Sequence, residues 1–160
     1  LRAALLVTRA TPLRGSGDVA GGSAPGQVRV VADHLNVSGG SLFPAPGMVS
    51  AGWDATLTER LGSLRGVSGS SVVALVPGPL RPSPAESRAL VSLGADAAVT
   101  DSVAEAMVLA SRGVAVSALT YLDAPAAGGN LGRAQLSLRQ ASGVTLAAVE
   151  EILRSLRAGS

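Results

Sequence analysis

The sequence has no cysteine and no lysine, and only one residue each of histidine, phenylalanine, tryptophan and tyrosine. Without cysteine there is no disulfide, no thiolate metal ligand and no cysteine nucleophile; this usage fits a reducing compartment, and the cytoplasm is the expected location. Without lysine, all 13 basic residues are arginine, so almost nothing titrates between neutrality and the arginine range. The isoelectric point of about 10.4 therefore reflects missing buffers. Set against 11 acidic residues, the arginines leave a net charge of only +2. They are scattered from Arg2 to Arg157, with no run that could follow a phosphate backbone or an acidic lipid surface, so no nucleic acid and no membrane is expected as a partner. Long apolar runs are also missing. Asp101, Glu105 and Arg112 interrupt the most hydrophobic stretch before it nears the roughly 18 residues a membrane span needs. The opening Leu1-Arg2-Ala3-Ala4-Leu5-Leu6-Val7 is too short for a signal-peptide core and reads as a strand. Beginning inside such a strand, without an initiating methionine, the chain is expected to lack the start of a larger domain.

What is present is one domain's worth of apolar sequence: 160 residues, 47% hydrophobic and 15% charged. A chain of this size can bury roughly 70% of the surface it exposes when unfolded, which excludes disorder as a general description. Residues 1–160 are expected to form a single domain. Short β-branched runs at 3–8 and 27–33 flank a Gly, Pro and Ser-rich stretch, and a second such stretch, 38–52, leads into 53–64, where Leu57, Leu61 and Leu64 recur at helical spacing. Residues 71–76 read as a buried strand. Ser83-Pro84-Ala85-Glu86 opens a helix that ends near Gly94, with a capping box and proline at its first position. Residues 96–99 form a short strand, and Ser102-Val103-Ala104-Glu105 reads as a second capping box, opening a helix that closes at Gly113. Residues 114–122 form the next strand. After Gly128-Gly129, a final helix carries Leu138, Leu146, Val149, Leu153 and Leu156 on one stripe. Strands alternating with helices of about ten residues predict an α/β fold, a largely parallel mixed sheet flanked by helices. Ligands in such sheets gather at the carboxyl ends of the strands, here the loops 8–13, 77–83, 100–102 and 123–127.

Generic chemical motifs contribute little. Gly15-Ser16-Gly17-Asp18-Val19-Ala20 has the letters of a dinucleotide fingerprint, but Gly21, Gly22 and Pro25 forbid the helix its mechanism needs. His34 is the single histidine, so a metal site would rest on carboxylates alone, and none pair at ligand spacing on a predicted helix. The expected role of His34 is a structural hydrogen bond. No Gly-x-Ser-x-Gly occurs, and Glu150-Glu151 reads as a solvated pair on the last helix.

A more specific signal lies in an ordered series of segments. Pro77-Gly78-Pro79-Leu80-Arg81-Pro82-Ser83-Pro84-Ala85-Glu86, then Leu93-Gly94-Ala95-Asp96, then Ser102-Val103-Ala104-Glu105 resemble the carboxyl-terminal half of the purine nucleoside phosphorylase and methylthioadenosine phosphorylase family. That family carries Gly-Pro-x-Phe-Glu-Thr-x-Ala-Glu, Leu-Gly-Ala-Asp and Met-Ser-Thr-Val-Pro-Glu in this order. Asp33-His34-Leu35-Asn36-Val37-Ser38-Gly39 resembles its Asp-His-Ile-Asn-Leu-Thr-Gly, and Val7-Thr8-Arg9-Ala10 its Val-Thr-Asn-Ala. Phe43-Pro44 and Trp53-Asp54 echo two further pairs. The resemblance implies phosphorolysis, in which inorganic phosphate as co-substrate attacks the anomeric carbon of a purine nucleoside and releases the base. It implies no metal or organic cofactor, and a homotrimer. Catalysis would be electrostatic, with polar groups stabilising the departing purine.

By family position, the substrate-binding residues are Ala10, Phe43, Arg81, Thr100, Asp123 and Ala124. The purine-binding Glu falls on Pro82 and the Phe before it on Arg81; the Met under the ribose falls on Thr100. The base-reading Asn or Asp falls on Ala124 in an ungapped comparison and on Asp123 after a one-residue slide; Asp123 also reads simply as a turn residue before Ala124-Pro125. The Asn of the Val-Thr-Asn-Ala segment becomes Arg9, leaving Ala10 where a backbone amide meets phosphate. The late histidine near the sugar falls near Gln135, and Phe43 matches the aromatic that reaches into a neighbouring subunit's pocket. The family's glycine-rich phosphate loop lies upstream of the segments matched. Packing signatures thus outnumber chemical ones, and two readings follow: a phosphorylase portion that acts with an upstream segment and altered base selectivity, or a non-catalytic relative serving ligand binding or subunit contact.

Overall fold

The computed structural model describes residues 2–13, 25–39, 52–78, 81–123 and 131–158, without the side chains of 131–138 and 158. Phe43, Ala124, the Gly15-Ser16-Gly17 letters, the Gly128-Gly129 turn and the side chains of Gln135 and Leu138 lie outside the described residues. The elements run β1 (Ala3–Pro12), β2 (Val28–Asn36), α1 (Ala55–Gly62), β3 (Val67–Leu75), α2 (Pro84–Ser92), β4 (Ala97–Val99), α3 (Val103–Ser111), β5 (Ala115–Leu122) and α4 (Leu131–Ala158). The expected alternation of strands and helices is there. β1, β2 and β3 are each longer than their β-branched cores suggest.

Parallel pairing dominates, and two antiparallel seams close the sheet into a barrel of order β1-β4-β3-β2-β5. β1 runs parallel to β5 from Ala3 opposite Ala115 to Ala10 opposite Leu122, and β3 runs parallel to both β2 and β4. The seams are β1 with β4, where Thr11 faces Ala98, and β2 with β5, where Val30 faces Leu119. The period of two along β5 divides the core between layers. Val116, Ala118 and Leu122 join Ala10, Val73, Val99 and the α3 residues Val103, Ala106 and Met107. Leu119 and Tyr121 instead join Val28, Val30, Leu61 of α1, and Val144 and Ala148 of α4.

Three local readings are corrected. On α4 the stripe Leu146, Val149, Leu153 faces outward, at 62%, 40% and 50% exposure, while Val144, Ala148 and Ile152 are buried. The row Val144, Ala148 and Ile152, spaced four residues apart, meets the sheet and α1, and the neighbouring row is left outside. At α3, the Ser102 hydroxyl makes no cap bond, and the residue sits at φ +70°, the only positive φ among described non-glycine residues. Glu151 is not simply solvated: it pairs with Arg154 one turn on and lies 3.8 Å from Arg60 of α1, tying two helices together. By contrast the α2 capping box forms as read, Ser83 and Glu86 exchanging backbone N–H bonds.

Candidate functional site

The carboxyl ends of β1 and β5 lie side by side because the two strands are parallel. The Asp123 N–H donates to the Ala10 carbonyl at 2.8 Å, which brings the Asp123 side chain beside Arg9. Nη2 of Arg9 donates to both Asp123 oxygens at 2.9 Å, and its Nε reaches Oδ1 at 3.3 Å. The hydrogen bond to Asp123 is the main cause that raises the Arg9 pKa above its ordinary value, with the carboxylate charge adding to it. Arg81, from the loop before α2, places Nη2 at 4.0 Å from Asp123 Oδ2, beyond direct hydrogen bonding. Asp123 is well covered at 17% side-chain exposure; Arg9 and Arg81 are open at 77% and 51%. Two guanidiniums around one carboxylate leave this cluster of three side chains with a net charge of about +1.

A second polar knot joins β1 to the residues that follow β4. The Thr8 hydroxyl donates to Asp101 Oδ1, and the Ser102 hydroxyl donates to the same oxygen at 3.0 Å. This explains the missing cap: Ser102 turns its hydroxyl to the neighbouring carboxylate and adopts a left-handed backbone that costs roughly 1–2 kcal/mol. The Asp101 carboxylate therefore sits next to the amino end of α3, where the helix dipole favours negative charge. Thr100 is exposed at the end of β4. It lies so close to the Pro77-Gly78 turn that a Cβ on Gly78 would come within 3.1 Å of Thr100 Cβ, and Thr100 would have to shift to admit it.

Between the ends of β2 and β3 and the start of α2 is an open cleft of about 360 Å³. Val37, Val76, Pro77, Pro82 and Leu90 give it apolar walls, and Arg81 and Glu86 are its charged residues. The Ser83 backbone N–H holds the Glu86 carboxyl below its usual pKa, donating to Oε2 at 2.7 Å.

Of the residues singled out by family position, Arg81 and Asp123 come together, and Ala10 lies beside them, 2% exposed, holding Asp123 through its carbonyl. Thr100 belongs to the neighbouring strand end. Two further participants lie in the loops 8–13 and 100–102 where ligands are expected to gather, but no motif singles them out. Arg9, in place of the family's Asn, has a parallel register with Tyr121 that places it two positions from Asp123. Asp101 stands at the Ser of the Met-Ser-Thr motif, next to Thr100. His34 makes a hydrogen bond of the kind expected: Trp53 Nε1 donates to its Nδ1 at 3.3 Å, the rings meeting edge to face at 6.1 Å. Burial lowers the His34 pKa, opposed by the Asp33 charge. Among the described residues no three His, Cys, Asp or Glu side chains gather as metal ligands, and no helix is long and apolar enough to cross a membrane.

Comparison with solved structures gives this arrangement a context. A schistosome purine nucleoside phosphorylase in complex with hypoxanthine superposes with a TM-score of 0.70 over 96% of this chain, at 18% identity. The fold is that of the purine nucleoside phosphorylases. The Schistosoma mansoni phosphorylase in complex with inosine matches over 93% of the chain with a TM-score of 0.67 and 18% identity. A variant adenosine/methylthioadenosine phosphorylase without ligand matches over 92% with a TM-score of 0.72 and 14% identity. The chain spans only 61%, 59% and 65% of those three proteins. No protein-family model and no curated protein sequence matches it.

Proposed function

We propose that residues 1–160 form one domain, the nucleoside-holding portion of a purine nucleoside phosphorylase-like protein of the cytoplasm. Inorganic phosphate would be the co-substrate, no metal or organic cofactor would take part, and the assembly would be a homotrimer. The observation that carries this reading is the strand-end cleft with Arg81 at its rim, in a fold shared with phosphorylases solved in complex with hypoxanthine, inosine and guanosine. Apolar walls suit the faces of a purine ring, and a few charged groups at the rim would set its orientation.

Within that reading, the 160 residues alone bind without turnover. Stabilising a departing purine needs polar groups preorganised toward it. Here Pro82 has no donor or acceptor on its side chain, and both Asp123 oxygens face Arg9. The fixed Asp101 carboxylate is also the wrong sign for phosphate at the start of α3. These three features favour a non-catalytic role in ligand binding or subunit contact for the chain taken by itself. Titration calorimetry with inosine tests the binding reading: saturable uptake near one nucleoside per chain is expected, and no binding at millimolar inosine would overturn it. Sedimentation tests the trimer, which a monomer would contradict.

A further inference from the structure

We infer that the cleft rimmed by Arg81 selects a flat ring that carries negative charge over a neutral ring of the same size. This rests on the reading above that the cleft receives a nucleobase, and it names the class of base.

The argument starts from where donors and acceptors are already used. Asp123 is the carboxylate nearest to Arg81, but its two oxygens accept from Arg9, and the 4.0 Å separation leaves Arg81 outside hydrogen-bond range. A guanidinium has five N–H donors and no acceptor. Half-exposed, and at the edge of the cleft, Arg81 can turn donors toward a ligand without breaking a bond. Glu86 is the one carboxylate among the cleft's lining residues, and its Oε2 is held by the Ser83 N–H as part of the α2 capping box. The charged groups bearing on Arg81 are therefore Asp123 after β5, Arg9 of β1 and Glu86 of α2.

Arg9 and Asp123 cancel as a bidentate pair; of the two charged lining residues, Glu86 is tied at Oε2 to the Ser83 N–H at the start of α2, and Arg81 at the rim keeps its donors for a ligand. The remaining walls, Val37, Val76, Pro77, Pro82 and Leu90, offer apolar contact and no side-chain hydrogen bonds. Such a site rewards a flat apolar body with an anionic, acceptor-bearing edge, because a guanidinium pairs with delocalised negative charge through two parallel N–H bonds. A neutral ring would accept from the same guanidinium without the attraction between opposite charges. That attraction is equivalent to about a 10-fold difference in affinity.

Xanthosine and inosine make the comparison, since the dioxo ring of xanthosine loses a proton near neutrality and the inosine ring does not. Equilibrium binding of both to the whole chain should show xanthosine about 10-fold tighter above the ionisation of its ring, with the advantage fading as the ring becomes neutral. Arg81→Gln should weaken xanthosine binding about 10-fold more than inosine binding and so abolish the preference, and Arg81→Lys should restore part of it. Circular dichroism of the variants confirms folding. Inosine and xanthosine binding equally, or a preference that survives Arg81→Gln, would overturn the inference and leave the proposed nucleoside binding standing. Binding of neither would overturn both.

Discussion

Arg9 and Asp123, 114 residues apart in the chain, meet through two 2.9 Å hydrogen bonds from one guanidinium nitrogen to both carboxylate oxygens. The acid that sequence comparison offers as a contact to the purine is thus already engaged by an arginine of the adjacent strand. That relationship sets the chemistry of this strand end: an accepting group is neutralised and a donating one, Arg81, is left available. Arg9 is mostly exposed, so the pair contributes little to stability, up to about 1 kcal/mol. Asp123→Ala should therefore lower the unfolding free energy by no more than about 1 kcal/mol and leave inosine affinity within about twofold. Urea denaturation and calorimetry measure the two effects. A tenfold loss of inosine affinity would place Asp123 in direct contact with the base.

The outer and inner faces of α4 differ by one residue. Ile152 is 7% exposed and packs with Ala3 and Leu57, whereas Leu153 is 50% exposed. Ile152→Ala should cost about 2–4 kcal/mol, while Leu153→Ala should stay within about 0.5 kcal/mol. Denaturant midpoints of the two variants check the order, and equal losses would contradict this packing.

Thr120, on β5 opposite Thr8 of β1, is fully buried, and its hydroxyl has no hydrogen-bond partner among the described residues; the same holds for the Ser71 hydroxyl on β3. An unsatisfied buried hydroxyl costs about 1–3 kcal/mol. Thr120→Val keeps the shape and removes the hydroxyl, so it should raise the thermal midpoint, with a gain of about 1 kcal/mol. A lower midpoint in a calorimetric scan would mean that the hydroxyl is satisfied.

His34 gives the protein a dependence on acid. Burial lowers its pKa in the fold below the ordinary 6.5, and as a neutral ring it accepts the Trp53 N–H at Nδ1. Above the ordinary value the ring is neutral in both states and the full contribution is present. As pH falls, the unfolded chain takes up the proton first, and stability drops until the folded ring is also protonated. Urea midpoints followed across this range should fall more steeply for the native chain than for His34→Gln. Parallel curves would show that the ring's titration is not coupled to folding.

The order of elements was legible because each has a local cause: β-branched runs for the strands, and Ser83, Pro84 and Glu86 for the start of α2. The likeness of fold was legible for a related reason. Segments such as Leu93-Gly94-Ala95-Asp96 encode packing and turns, which persist when side chains at the ligand change. Closure of the barrel was not legible, since it rests on seams such as Thr11 with Ala98 that are distant in sequence. The outward stripe of α4 misled because hydrophobic spacing does not say which of two adjacent apolar rows meets the sheet. Ser102 illustrates a further limit: its letters spell a capping box, and a neighbouring carboxylate captured the hydroxyl. At the strand ends Arg81 and Asp123 could be named one by one. Their meeting through Arg9 depends on the β1–β5 register, which no local pattern carries.

Incubation of the purified 160-residue chain with inosine, with and without inorganic phosphate, measures most directly whether this fold retains a nucleoside cleft without the groups that drive its chemistry. The expected result is saturable inosine binding and no phosphate-dependent release of hypoxanthine. Hypoxanthine released in proportion to enzyme, and only when phosphate is present, would contradict it.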